Sequence, residues 1–261
     1  MAPRTFLVHG LLAGLIAGFA AFLVAYVVAE PQVDTAIALE EAGSAEDGHP
    51  HDDATAEQSH SHGEEAEVSR ETQSTWGLAT GTILMGAVLG GATALAAAFA
   101  VGRLGTLSAR ASTAVVAGVG FVATALVPFF KYPATPPAVG SGDTIGERTA
   151  LYFGFWALSL VAAIGAVLLA RRVLPRLGAY AAVLVGAAAY LVVVVVAGAV
   201  LPTVNEVGNF PADTLWYFRR SSIMTLAATW AVLGLVLTGL VGRDADRAAE
   251  RLRRQELAAT L

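Results

Sequence analysis

The chain contains no cysteine. Disulfides, thiolate metal sites and thiol catalysis are closed to it, which leaves His, carboxylate, Met and backbone oxygen as metal ligands. Asp, Glu, Lys and Arg are missing from six long apolar stretches, at 6–29, 77–102, 111–130, 151–170, 177–201 and 221–241. About 20 apolar residues cross the hydrocarbon core as a helix, and burying a charge there is costly. The absence therefore sets the class: an all-α integral membrane protein with six transmembrane helices. Also missing are a phosphate-binding loop, a nucleophile elbow and a metalloprotease helix. ATP hydrolysis is excluded, an enzyme is not expected, and neither is a permanently bound cofactor or a nucleic-acid partner.

The charges that are present are segregated. With the N-terminus inside, the inner segments carry 11 Arg against 4 acids, and the outer segments 17 acids against 5 bases. The positive-inside rule then places the N- and C-termini in the cytoplasm. The organisation expected is a first transmembrane helix, signal-anchor like, over 1–29 and an outer acidic loop at 30–75. A five-helix membrane domain over 76–241 follows, with outer loops at 131–148 and 202–220, and then a cytoplasmic tail at 242–261. Val27-Val28-Ala29 reads as a cleavage site. The apolar core before it, about 23 residues, is longer than a signal peptide's roughly 7–15, so retention is expected.

Gly10, Gly14 and Gly18 share one face of the first span, and Gly86 and Gly90 repeat the spacing in the second. Small residues at this interval let helix backbones approach closely. Residues 32–41 suit a short surface helix with Asp34 near its start, and Asp213 suits the N-cap of a short helix leading into the last span. Glu250 and Arg254 stand at i,i+4 spacing in a short helix of the tail. Pro128 near the end of the third span would free a backbone carbonyl.

Four of the five histidines form two pairs, His49-Pro50-His51 and His60-Ser61-His62, in an acidic stretch whose composition is that of a disordered segment. Imidazole suits Co(II), Ni(II), Cu(II) and Zn(II), and in extended chain the two members of each pair share a side. Weak metal capture is the expectation. At the outer mouth, Glu30, Asn205 and Glu206 are the candidates for cation contact, because no base stands beside any of them in sequence. The spans themselves offer no Asp or Glu, and their one histidine, His9, lies near an end. This counts against a self-sufficient proton-coupled pump.

Three outer motifs carry a family likeness. Glu30-Pro31-Gln32-Val33-Asp34, Lys131-Tyr132-Pro133 through Gly140 with Asp143-Thr144-Ile145, and Asn205-Glu206-Val207 with Phe210-Pro211-Ala212-Asp213 and Trp216 resemble CbtA, the predicted cobalt transporter subunit of bacteria. The resemblance covers most of the chain apart from the His stretch and the tail. Thr135 stands where the family pattern has Asn, and Gly208 where it has Pro. The resemblance implies a multi-pass protein of the bacterial cell membrane that imports Co²⁺, with Ni²⁺ as the close chemical competitor, typically for cobalamin synthesis. It also implies a small one-span, His-rich partner subunit, CbtB-like, beside the metal ion and membrane lipid. The reading is a permease subunit for a divalent transition metal. The alternative is a non-transporting scaffold or metal-sensing subunit that binds ion or partner at its outer face.

Overall fold

The computed structural model describes residues 3–46 and 68–260. Among these residues there are helices and no strands. The helices are α1 (Pro3–Val24), α2 (Glu30–Glu46), α3 (Arg70–Thr72), α4 (Leu78–Ala100), α5 (Ala109–Phe121), α6 (Val127–Lys131), α7 (Ile145–Val200) and α8 (Ala212–Ala259). Three π-helical turns, Ala25–Ala29, Gln73–Gly77 and Val122–Leu126, join α1 to α2, α3 to α4 and α5 to α6. The joined pieces give five helices long and apolar enough to cross a membrane: Pro3–Gly43, Arg70–Ala100, Ala109–Lys131, Gly142–Val200 and Ala212–Ala259.

The fourth of these is two helices meeting at Gly178, whose φ of 77° and ψ of 169° lie outside the helical region. A side chain there would be strained, whereas glycine turns freely. The two halves pack on each other. A methyl placed on Gly186 would lie 2.9 Å from the Ala166 carbonyl oxygen, and the Tyr190 hydroxyl is 2.9 Å from Ser159 Oγ. A straight helix would hold residues 31 apart by roughly 46 Å at 1.5 Å per residue, so the chain doubles back at this glycine.

Two of the π-turns have a cause legible in the chain. Pro31 follows the first by one residue, and Pro128 follows the third by one residue. Proline cannot donate, and its ring crowds the carbonyl four residues back. Widening the preceding turn moves that carbonyl away, and Glu30 and Val127 then donate to Ala25 and Val122, five residues back. Helix therefore continues through Pro31, and the surface helix expected at 32–41 is instead the extension of the first span. The same continuity appears at the last span. It begins at Ala212 with Pro211 at the N-cap and runs to Ala259, so the tail helix is not separate from it. Asp213 lies in its first turn, where a carboxylate suits the helix dipole, not at the cap. The Glu250–Arg254 pair forms as expected, at 2.6 Å.

The glycine faces meet. α1 and α4 run antiparallel, and methyls on Gly14, Gly86 and Gly90 would fall 2.8 Å from Gly86 C, 2.7 Å from Gly18 Cα and 2.7 Å from Gly14 Cα respectively. The register holds to the far end, where Arg70 pairs with Glu30: opposed numbers add to the same total for Gly10 with Gly90, Gly14 with Gly86 and Glu30 with Arg70. α8 and α5 complete this half around Phe6, Trp230, Leu233, Leu237 and Val241. A second cluster of Tyr132, Phe155, Ala163, Tyr190 and Val194 ties the third span to both halves of α7.

Candidate functional site

The loop between α6 and α7 opens with Lys131 and Tyr132, which reach across to the segment after α7. Lys131 Nζ donates to Leu201 O and the Tyr132 hydroxyl to Pro202 O, both at 2.9 Å. Burial raises the pKa of the Tyr132 phenol, which keeps it a neutral donor. Beyond it, Val139 N–H donates to Pro136 O at 3.3 Å, and Ala138 sits at φ 65°. That is the geometry of a type II turn with alanine in the position glycine prefers. Prolines at 136 and 137 confine the turn, so the loop is a stiff element.

Glu206 fastens the opposite loop to this one. Its Oε2 accepts from Thr144 Oγ1 at 2.8 Å and from Ser141 N–H at 3.1 Å, with Arg148 Nε at 3.5 Å. The Thr144 hydroxyl, then the Ser141 amide and the Arg148 guanidinium, hold the Glu206 carboxyl below the ordinary carboxylate value against the opposing effect of desolvation. Arg148 Nη2 also donates to Ser141 O at 3.0 Å and passes beneath Gly140, where a methyl would lie 2.7 Å from Arg148 Cζ. Gly208 adopts φ 55°, which proline cannot reach. The departure from the family pattern at 208 therefore matches the turn this chain makes.

Beneath the two loops lies a cavity of about 740 Å³. Ala25 and Ala29 of the first π-turn, Leu78 and Thr82 beside the second and Phe129 just past the third contribute to its wall. The first π-turn thus lines the chamber and the helices that continue from the other two reach it, and π-bulges are frequent at functional sites. Its lining is mainly apolar and includes Tyr152, Phe153, Val139 and Val204, with Arg148, Arg219 and Glu206 as its charged members. Thr135, the other departure, also lines it.

The three mouth residues singled out from sequence fare differently. Glu206 lines the cavity. Glu30 forms an ion pair with Arg70, which also bonds Asp34 at 2.9 Å. Asn205 is exposed. The premise that no base accompanies them fails for both carboxylates, because Arg70 and Arg148 arrive from distant parts of the chain. His49, His51, His60 and His62 lie outside the described residues. Among the described residues no three His, Cys, Asp or Glu converge as a metal would need. His9 faces Asp244, with Nε2 to Oδ2 at 3.4 Å, at the opposite end of the bundle.

The carbonyl freed by Pro128 is accounted for. Val127 donates to Val122 instead of Ala123, Pro128 has no N–H, and Ser159 Oγ donates to Ala123 O at 2.7 Å. With that proton committed, the Tyr190 hydroxyl donates to Ser159 Oγ at 2.9 Å. The glycine faces likewise are filled by one another's backbones and leave no passage between α1 and α4. What sequence reasoning missed is the pairing of Arg148 with Glu206 and the role of Tyr132 and Arg219 in one wall. The crowding of Pro, aromatic and charged residues in these loops was the available signal.

These features define a polytopic helical membrane protein with a chamber roofed by two interlocked loops. The model for CbtA, described as a probable cobalt transporter subunit, matches residues 3–242, and the chain belongs to that family. No curated protein and no solved structure matches the chain.

Proposed function

We propose that the protein is the membrane-embedded subunit of an importer for a divalent transition metal, most simply Co²⁺, crossing the bilayer six times with both termini in the cytoplasm. The observation that carries the reading is membership of a cobalt-transporter family together with a chamber roofed by that family's own motifs. The reversal at Gly178 supports six crossings, since it divides the longest apolar helix into two. The excess of Arg at the end holding residues 103–110, 171–176 and 243–254 supports the orientation. The loops that roof the chamber then face the outside. The His49/His51 and His60/His62 stretch and the carboxylates Glu30 and Glu206, with the Asn205 amide, act at that face in metal capture. A His-rich one-span subunit of the kind the family implies is a suitable partner.

Glu30 and Glu206 also serve as struts, because each already has a guanidinium partner. That double role gives some weight to a second reading, a metal-sensing or scaffolding subunit that transports nothing by itself. Metal accumulation decides between them. Cells expressing the wild type are expected to accumulate Co²⁺, a deletion of 42–69 to lose uptake selectively at low metal concentration, and Glu206→Ala to lose nearly all of it. Accumulation no greater than in cells lacking the protein would remove the importer reading and leave the sensor. Wild-type uptake by Glu206→Ala would take that residue off the site.

A further inference from the structure

The chamber is poorly matched to a bare metal ion. Six waters around a cation occupy roughly 180 Å³ at about 30 Å³ each, whereas the chamber measures about 740 Å³, within the range of pockets that hold small organic molecules. Its wall is largely hydrocarbon and aromatic, with Tyr132, Tyr152, Phe153 and Val139 among its residues. Among the described residues its fixed charges are two guanidiniums, Arg148 and Arg219, and one carboxylate, Glu206, which leaves one net positive charge. A dication gains nothing electrostatically by entering such a space.

The donors have capacity to spare. Arg148 Nε is buried and has no hydrogen-bond partner among the described residues, Glu206 Oε2 lying 3.5 Å away. Among the described residues Arg219 makes one hydrogen bond, from Nε to Ala134 O, and it is long at 3.4 Å. Its remaining N–H groups form the planar fork that suits a carboxylate. Hydroxyls of Thr135, Thr149 and Ser222 stand in the same wall.

We infer that the chamber receives the metal as a polycarboxylate chelate carrying one net negative charge, with Arg219 as its principal anchor. A divalent ion held by a tricarboxylate has that charge. It has carboxylate oxygens for the guanidinium and a carbon skeleton for the apolar wall. This rests on the importer reading and specifies the form in which the cargo arrives.

The test uses the full chain in lipid nanodiscs, with citrate as the probe carboxylate. Radiolabelled cobalt and radiolabelled citrate are supplied together and separately. The expected result is retention of both labels in equal amounts. Either label alone should be retained weakly, and co-retention should fall at least about tenfold in Arg219→Gln, the cost of one charge-assisted hydrogen bond. Arg219→Lys keeps the charge without the fork and should recover part of the loss. Cobalt retained equally without citrate, citrate retained equally without cobalt, or Arg219→Gln binding like wild type would each overturn the inference. Cobalt accumulation by cells separates the two levels of failure. If accumulation is intact while nanodiscs retain no chelate, the inference alone falls; if cells accumulate no cobalt, the importer reading falls.

Discussion

The contact between α1 and α4 offers the sharpest test of the packing, and Gly14→Ala is the perturbation. The new methyl would lie 2.8 Å from Gly86 C and 2.9 Å from Ala87 Cα. Non-bonded carbons rest at about 3.5–4.0 Å, so the helices must part by roughly 1 Å, a gap that forfeits up to about half of each contact's attraction. The obstacle is backbone on the facing helix and cannot rotate aside, so the cost belongs near the top of the overpacking range, about 3 kcal/mol. For a chain of this length that corresponds to roughly 6–12 °C in melting temperature. Gly81→Ala is the internal control. It lies in the facing helix α4 with nothing within 4 Å of the added methyl, and helix propensity alone should make it neutral or more stable by up to about 1 kcal/mol. Thermal unfolding in detergent, followed by tryptophan emission, measures both. Equal melting of the two variants would show that α1 and α4 are not in backbone contact, and the register argued from Gly10 to Glu30 would be lost.

Other parts of the structure make their own predictions. Ser159→Ala strips the buried Ala123 carbonyl of its donor and should cost about 1–3 kcal/mol; Tyr190→Phe leaves that bond and should cost less, about 0.5–1.5 kcal/mol, so the reverse ranking in the same melting assay would contradict the bonding order. Ala138→Gly relieves a left-handed alanine and should stabilise by up to about 1 kcal/mol; a loss of stability would mean that the turn is not built as described. The Glu206 carboxyl has its pKa lowered by folding, so its hold on the loop is complete above the ordinary value of 4.5 and is lost as pH falls through the depressed value. Protection of the Ser141 amide from hydrogen exchange should therefore persist at mildly acidic pH and fail only below the normal carboxylate range. In Glu206→Gln that acid-dependent loss should vanish, and a wild-type profile in the variant would exclude Glu206 as the acceptor.

Much of the fold was readable because lipid enforces simple rules. Uncharged runs marked the apolar helices, although two of the six runs fall in one long helix bent at Gly178, and the spacing of Gly10, Gly14 and Gly18 marked a helix interface. Helix ends were harder. Pro31 reads as a stop, yet a single widened turn carries the helix past it, and that compensation is visible only in the backbone. The site was legible as a region and not as a set of partners. Composition pointed to the loops at 131–148 and 202–220, but Glu206 looked unaccompanied because Arg148 is 58 positions away in sequence. Long-range pairing leaves no local periodicity to detect.

The face shared by α1 and α4 also bears on movement. Where backbone lies on backbone, there are few rotamers to exchange and little room to slide, so this pair behaves as a stator. On the proposed importer reading, the opening that lets cargo leave the chamber comes from its other walls, the third span, the last span and the hairpin folded at Gly178. On that reading, labels fixed to the first helix pair would keep their separation when cobalt is added, while those on the other walls would report any movement.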